Sequence, residues 1–172
     1  MEYEHIVHPF PPLFDADSEI LILGSLPSVK SREQMFFYGH PQNRFWPLLA
    51  RLLREPEPHT IEEKKQLVLK HHIALWDTIF SCDIIGSGDS SIRNVVPTDL
   101  KPIVRGSKIE RIFCNGQTSW KYYHRFQEKE LGIEAAALPS TSPANAAWTM
   151  DRLADAWEIL LKGTARTEKQ QF

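Results

Sequence analysis

The residues best equipped for chemistry fall in two stretches. The first runs Gly24, Ser25, Leu26, Pro27, Ser28, then reaches Phe36, Phe37 and Tyr38, and closes on His40, Pro41, Gln42, Asn43, Arg44, Phe45 and Trp46. The second is Leu138, Pro139, Ser140, Thr141, Ser142, Pro143, Ala144 and Asn145. Together they offer backbone amides, hydroxyls, aromatic faces and one well-placed carboxamide, that of Asn43. Such groups suit a phosphate and a flat ring. They do not suit covalent attack by a strong nucleophile. Tyr38 is the favoured stacking ring because it joins an aromatic face to a polar edge. Ordinary structural roles compete for the same residues. Asn43 suits the N-cap of a helix starting at Arg44. Ser142 before Pro143 is good helix-capping chemistry, and Phe36 and Phe37 suit a core.

Other chemistries find no support. There is no dinucleotide fingerprint, no P-loop and no nucleophile elbow. The two cysteines, Cys82 and Cys114, are far apart and lack metal-ligand spacing, and the seven histidines make no metal pattern. No metal site is therefore expected. Cys114 closes an apolar run and reads as packing. The formal net charge of -2 carries no nucleic-acid signature for the whole chain. Arg93, Lys101, Arg105, Lys108, Arg111, Lys121 and Arg125 nevertheless permit a locally basic face. The first eight residues lack the apolar segment of a signal peptide, and no apolar run is long enough to span a membrane. With few cysteines, these features lead us to expect a cytoplasmic protein, and a monomer is the default.

The elements that must hold the two stretches follow from periodicity. Ile20 to Leu23 is uncharged and apolar, which suits a strand buried on both faces. Ile73–Trp76, Ile109–Cys114 and Ile133–Leu138 read as three more strands. Phe45, Leu48, Leu49, Leu52 and Leu53 have helical spacing, and Pro47 fits the first turn of that helix. Thr60 with Glu63 is a capping-box signature for a helix running to about His71. Thr98 is expected to cap a short helix ending near Val104. Thr118 to Glu130 and Ala144 to about Lys162 complete the helices. Residues 1–17 read as an extended lead-in, and Asp77 to Pro97 as one long connection, functional or mobile. Strands alternating with helices predict an α/β protein, a three-layer sandwich around a mainly parallel four-stranded sheet. Both chemistry-bearing loops then follow strands and lie on the same, carboxyl-end edge, where open α/β sheets bind ligands.

These stretches carry a resemblance. Gly24 to Trp46 looks like the first motif of the uracil-DNA glycosylase superfamily, and Leu138 to Asn145 resembles its second, a Pro-Ser loop. Closest is the deoxyinosine, or hypoxanthine-DNA, glycosylase branch, which has a Gly-Ser-x-Pro first loop and a segment similar to Trp76–Asn94. The resemblance spans roughly Ile20 to Lys162. It implies one glycosylase domain over residues 1–162, followed by a polar tail over 163–172. It implies a cofactor-free, monofunctional enzyme that flips deaminated bases out of double-stranded DNA and cleaves the base–sugar bond with water. Asn43 is implied to be catalytic, either accepting from the attacking water or donating to the base. Ser25, Leu26, Pro27 and Tyr38 are implied to bind the base. Asp83 and Ser90 are candidates for reading the base edge, and Arg93 for a phosphate. Ser140, Thr141 and Ser142 would grip phosphates, and Asn145 would help fill the hole left by the flipped base. Mismatch-type uracil enzymes carry an Asn where this chain has Leu26, which cannot orient a water. That substrate class is one alternative; a non-catalytic module binding nucleotides or single-stranded DNA is another.

Overall fold

The computed structural model describes residues 2–162; the expected tail over 163–172 lies outside them. Its centre is strand β2 (Ile20–Gly24), all five residues of which are buried. Around it assemble β3 (Ile73–Asp77), β6 (Arg111–Asn115) and β7 (Ala135–Leu138), in the order β3-β2-β6-β7, every pair parallel. Leu21, Ile22 and Leu23 are fully buried. This is why an uninterrupted apolar run, rather than an alternating one, marked the strand. The four expected strands and the parallel sheet are thus present, and all four carboxyl ends lie on one edge.

A second sheet was not expected. β1 (Glu4–Val7), β4 (Ile79–Ile84) and β5 (Arg93–Pro97) form a three-stranded antiparallel sheet in the order β1-β4-β5. β1 belongs to the stretch read as a lead-in. β4 and β5 occupy the stretch read as a long connection; its tip alone, around a 3-10 turn at Asp89–Ser91, is a loop. Short, irregular strands explain the miss. The β4–β5 pairing shifts register twice, which breaks the period-two pattern. β4 continues from β3 through Thr78, whose N–H donates to the Gly24 carbonyl at 2.8 Å, while Ile79 N–H donates to Ser25 O at 3.0 Å. The first loop is therefore pinned to the hinge between the two sheets.

The helices are α1 (Val29–Gln34), α2 (Phe45–Leu53), α3 (Ile61–Lys70), α4 (Lys101–Arg105), α5 (Gln117–Phe126), α6 (Glu128–Leu131) and α7 (Met150–Trp157). α3 has the expected capping box, with Thr60 and Glu63 bonding reciprocally. Three expectations need correction. α1 was not foreseen; Ser28 caps it, its Oγ accepting from Ser31 N–H at 3.2 Å. Thr98 does not cap α4: it is buried and its hydroxyl donates to the Asp77 carbonyl at 2.7 Å. The last helix starts six residues later than expected, at Met150 behind Thr149. Pro143 and Asn145 instead sit in turns closed by Asn145 N–H to Ser142 O and Trp148 N–H to Asn145 O.

Candidate functional site

At the carboxyl edge of the parallel sheet lies a cavity of about 460 Å³. Each strand end contributes. Gly24 to Ser28 follow β2, Asp77 ends β3, Asn115 and Gly116 follow β6, and Ser140 to Ala144 follow β7; Tyr38, His40 and Asn43 close the remaining wall. The volume is within the ordinary range for small-ligand sites and accommodates a purine-sized ring.

Asn43 sits in this wall with its amide fixed. Its Oδ1 accepts from the backbone N–H of Phe45 at 2.9 Å and from the Thr141 hydroxyl at 2.8 Å. A backbone N–H can only donate, so the amide orientation is set. Both lone pairs of Oδ1 are engaged, and the Nδ2 protons have no partner among the described residues. Asn43 is not the expected N-cap, since Arg44 takes that place and α2 starts at Phe45, but its oxygen still steadies the start of α2 while the NH₂ remains available at the cavity.

Thr141 is buried, and its hydroxyl also accepts from Asn115 Nδ2 at 3.0 Å, while its N–H donates to Asn115 Oδ1 at 3.0 Å. Asn115 thus clamps Thr141, and Thr141 orients Asn43. Arg44 ties the two loops together from outside. Its guanidinium donates to the carbonyls of Ser142 and Asn145, both at 3.0 Å, and of Trp148. Its backbone N–H donates to Thr141 O at 3.1 Å.

Tyr38 has φ of 53°, a left-handed conformation uncommon outside glycine. That backbone lays its ring on Phe45, with centroids 4.0 Å apart and planes at 21°. Its hydroxyl is buried and makes no hydrogen bond. Burial, and the Asp77 carboxylate beside it, push its pKa well above the ordinary tyrosine value, countered only in part by the neighbouring Asn115 amide. The phenol stays protonated and remains a donor.

Several residues singled out in the sequence stand elsewhere. Asp83 lies on β4, where His5 Nδ1 and Asn94 Nδ2 each approach a carboxylate oxygen at 2.8 Å. The Asn94 and His5 bonds hold its carboxyl below the usual range. Arg93 stacks over Tyr3 at 3.5 Å. Neither lines the cavity, and nor does Ser90; the neighbouring Gly86, Ser87 and Asp89 do. Antiparallel pairing of β4 with β5 spends Asp83 and Arg93 on the second sheet, and Ser90 lies in the turn at its tip. Asn145 is also off the wall, its amide donating to Ser140 O at 3.0 Å. The Ser140–Ser142 loop is not a helix N-terminus, so no helix dipole backs it. With Thr141 committed internally, only Ser140 and Ser142 remain as hydroxyls for a phosphate. Conversely, the sequence reading missed Asp77, His8, Asn115, Lys30 and Arg32. Lys30 and Arg32 line the same cavity, whereas the basic residues picked from the middle of the chain do not. Asn115 was legible as a strand-ending residue, like Gly24; His8 carried no signal.

Cys114 is fully buried, and burial pushes its thiol up to about 12. It is inert packing, as expected. Among the described residues no cluster of His, Cys, Asp and Glu is placed to hold a metal.

The pattern of the uracil DNA glycosylase superfamily matches residues 11–161. The chain belongs to the uracil DNA glycosylase superfamily. It is 35% identical over 155 residues to a protein of Methanosarcina acetivorans named hypoxanthine DNA glycosylase, covering 89% of this chain and 96% of the relative. A Methanosarcina barkeri protein of the same name is 31% identical over 143 residues, covering 79% and 86%. A solution NMR structure of an M. acetivorans protein, assigned provisionally as a uracil DNA glycosylase, superposes with a TM-score of 0.75 at 33% identity, covering 87% of this chain and 92% of the other. As a superfamily member the chain has the expected α/β fold, and both expected motifs fall within the matched region.

Proposed function

We propose that this protein is a monofunctional DNA glycosylase that hydrolyses the bond between hypoxanthine and deoxyribose in double-stranded DNA. Two relatives of 31–35% identity named for that base support the substrate. The observation that carries the chemistry is the fixed Asn43 amide, whose free NH₂ is presented at a base-sized cavity. The base enters the cavity flipped from the helix, against the strand-end loop Ser25–Leu26–Pro27 and the ring of Tyr38. As the N9–C1′ bond breaks, its electron pair moves onto the base. Asn43 Nδ2–H donates to the departing base and stabilises that charge. Water adds to C1′ and loses a proton, the base is protonated, and an abasic sugar remains. Because Oδ1 is already engaged twice, the geometry favours donation to the base over acceptance from the attacking water. Ser140, Ser142, Lys30 and Arg32 surround the mouth as donors and cations for backbone phosphates. The reading carries with it a single domain over residues 1–162 acting as a cytoplasmic monomer.

Replacing Asn43 tests the assignment. Asn43→Ala is expected to lower single-turnover hypoxanthine release by about 10²–10³-fold, as for loss of one transition-state donor, with duplex binding retained. Unchanged release would remove Asn43 from the mechanism.

A further inference from the structure

The cavity wall holds a buried carboxyl group, that of Asp77, which the mechanism above leaves unused. Asp77, at the end of β3, is 4% exposed, and its Oδ2 lies 2.6 Å from His8 Nε2. His8 is itself buried, wedged between Phe10 and Trp76 with ring centroids at 4.6 and 4.2 Å, and its backbone N–H donates to Phe80 O at 2.7 Å. A carboxylate in such a place is costly unless its oxygens are satisfied. His8 satisfies one. The other, Oδ1, accepts no hydrogen bond from any described residue, yet Asp77 lines the cavity. β2 makes room for it: a Cβ on Gly24 would stand 2.5 Å from Oδ1 and 3.3 Å from the Tyr38 hydroxyl. The glycine, the carboxylate and the phenol meet at one point on the cavity wall.

We propose that Asp77, held by His8, is the base-reading residue: its Oδ1 accepts the lactam N–H that deamination creates on the flipped base. The inference rests on the glycosylase reading above. Adenine presents a bare lone pair at N1, and hypoxanthine presents N1–H. Cytosine and uracil differ in the same way at N3. An ionised carboxylate can only accept; it bonds the deaminated base and repels its parent. Guanine and thymine carry the same N–H, so their refusal falls to the cavity walls and to the cost of flipping a well-paired base. His8 acts as a positioning residue, fixing the carboxylate through Oδ2.

The test compares duplexes carrying deoxyinosine with duplexes carrying the unsubstituted purine deoxynucleoside, whose N1 has no hydrogen, for the unaltered protein and for Asp77→Asn. The ratio of the two release rates cancels differences in leaving group within each protein. The variant is expected to lose roughly 10- to 100-fold of the deoxyinosine-to-purine ratio, the worth of a charge-assisted hydrogen bond. Equal slowing on both substrates, or an unchanged ratio, would overturn the inference. Should the variant fail to fold, free hypoxanthine and free purine serve as competing inhibitors of the unaltered protein. Hypoxanthine is expected to inhibit at least ~10-fold more strongly, and equal inhibition would overturn the inference. An unaltered protein that releases no base from any duplex would bring down the glycosylase reading itself, an outcome distinct from activity without discrimination.

Discussion

Asn43 is oriented by the Phe45 N–H two residues on and held there by Thr141, 98 residues away. Thr141 and Asn115 line the same cavity, and their hydrogen bonds to each other and to the Asn43 oxygen hold that amide in place with its NH₂ left free. Thr141→Val keeps the volume and removes the hydroxyl. It is expected to lower the rate of base release on the order of 10- to 100-fold, as for a small misplacement of a reacting group, and to leave duplex affinity unchanged. Thr141→Ser should restore most of the rate. A loss of affinity instead would mean that Thr141 touches the phosphate backbone, the role its place in the Pro-Ser loop first suggested. The sequence made Asn43 visible because it stands in a polar run between aromatics. It hid Thr141's role because a buried threonine and an exposed one look alike in a Ser/Thr/Pro loop.

The parallel strands organise the site by where they stop. Gly24, Asp77, Asn115 and Leu138 end four neighbouring strands, and most of what lines the cavity hangs from those ends, with Gly86, Ser87 and Asp89 reaching in from the tip of the second sheet. Gly24 is the tightest point, since a side chain there would collide with the Asp77 carboxylate. Gly24→Ala is expected to destabilise the fold by about 1–3 kcal/mol, as for other over-packed positions, and to depress base release beyond what the fraction unfolded explains. Thermal melting and single-turnover rates on the same preparation separate the two effects. These strands were legible because both faces are buried and the residues run apolar without interruption. β1, β4 and β5 were not. His5, Asp83, Arg93 and Asn94 are polar residues within strands, spent on cross-sheet bonds, so the segment read as a polar loop. That misreading also placed Asp83 and Arg93 at the cleft. The Asp77–His8 pair was invisible for a further reason: its partners are 69 residues apart, and only the fold brings them together.

The molecule keeps several ionisable groups neutral in its interior. Burial raises the pKa of Tyr38, Tyr123 and Cys114. Above about pH 10 the unfolded chain releases tyrosine protons that the folded chain still holds. Folding then carries bound protons, so stability is full below the unfolded values and falls as pH rises past them. Urea melts between pH 8 and pH 11 should show a midpoint that declines mainly above about pH 10; a midpoint rising over that range would contradict these burials. The raised Tyr38 value also means that its ionisation should not inactivate the protein within the working range. No helix among the described residues is long and apolar enough to cross a membrane, and the cavity opens on an edge that carries Lys30 and Arg32, as a site for polyanionic DNA requires. The central claim is removal of hypoxanthine by hydrolysis, and the most direct test is single-turnover incubation with end-labelled duplexes. Each carries one deoxyinosine, deoxyuridine or deoxyadenosine, and hot alkali then breaks the strand wherever a base is missing. Strand breaks at deoxyinosine, with deoxyadenosine untouched, are the expected result. Tight duplex binding with no break at any of the three would contradict the account and leave a binding module in its place.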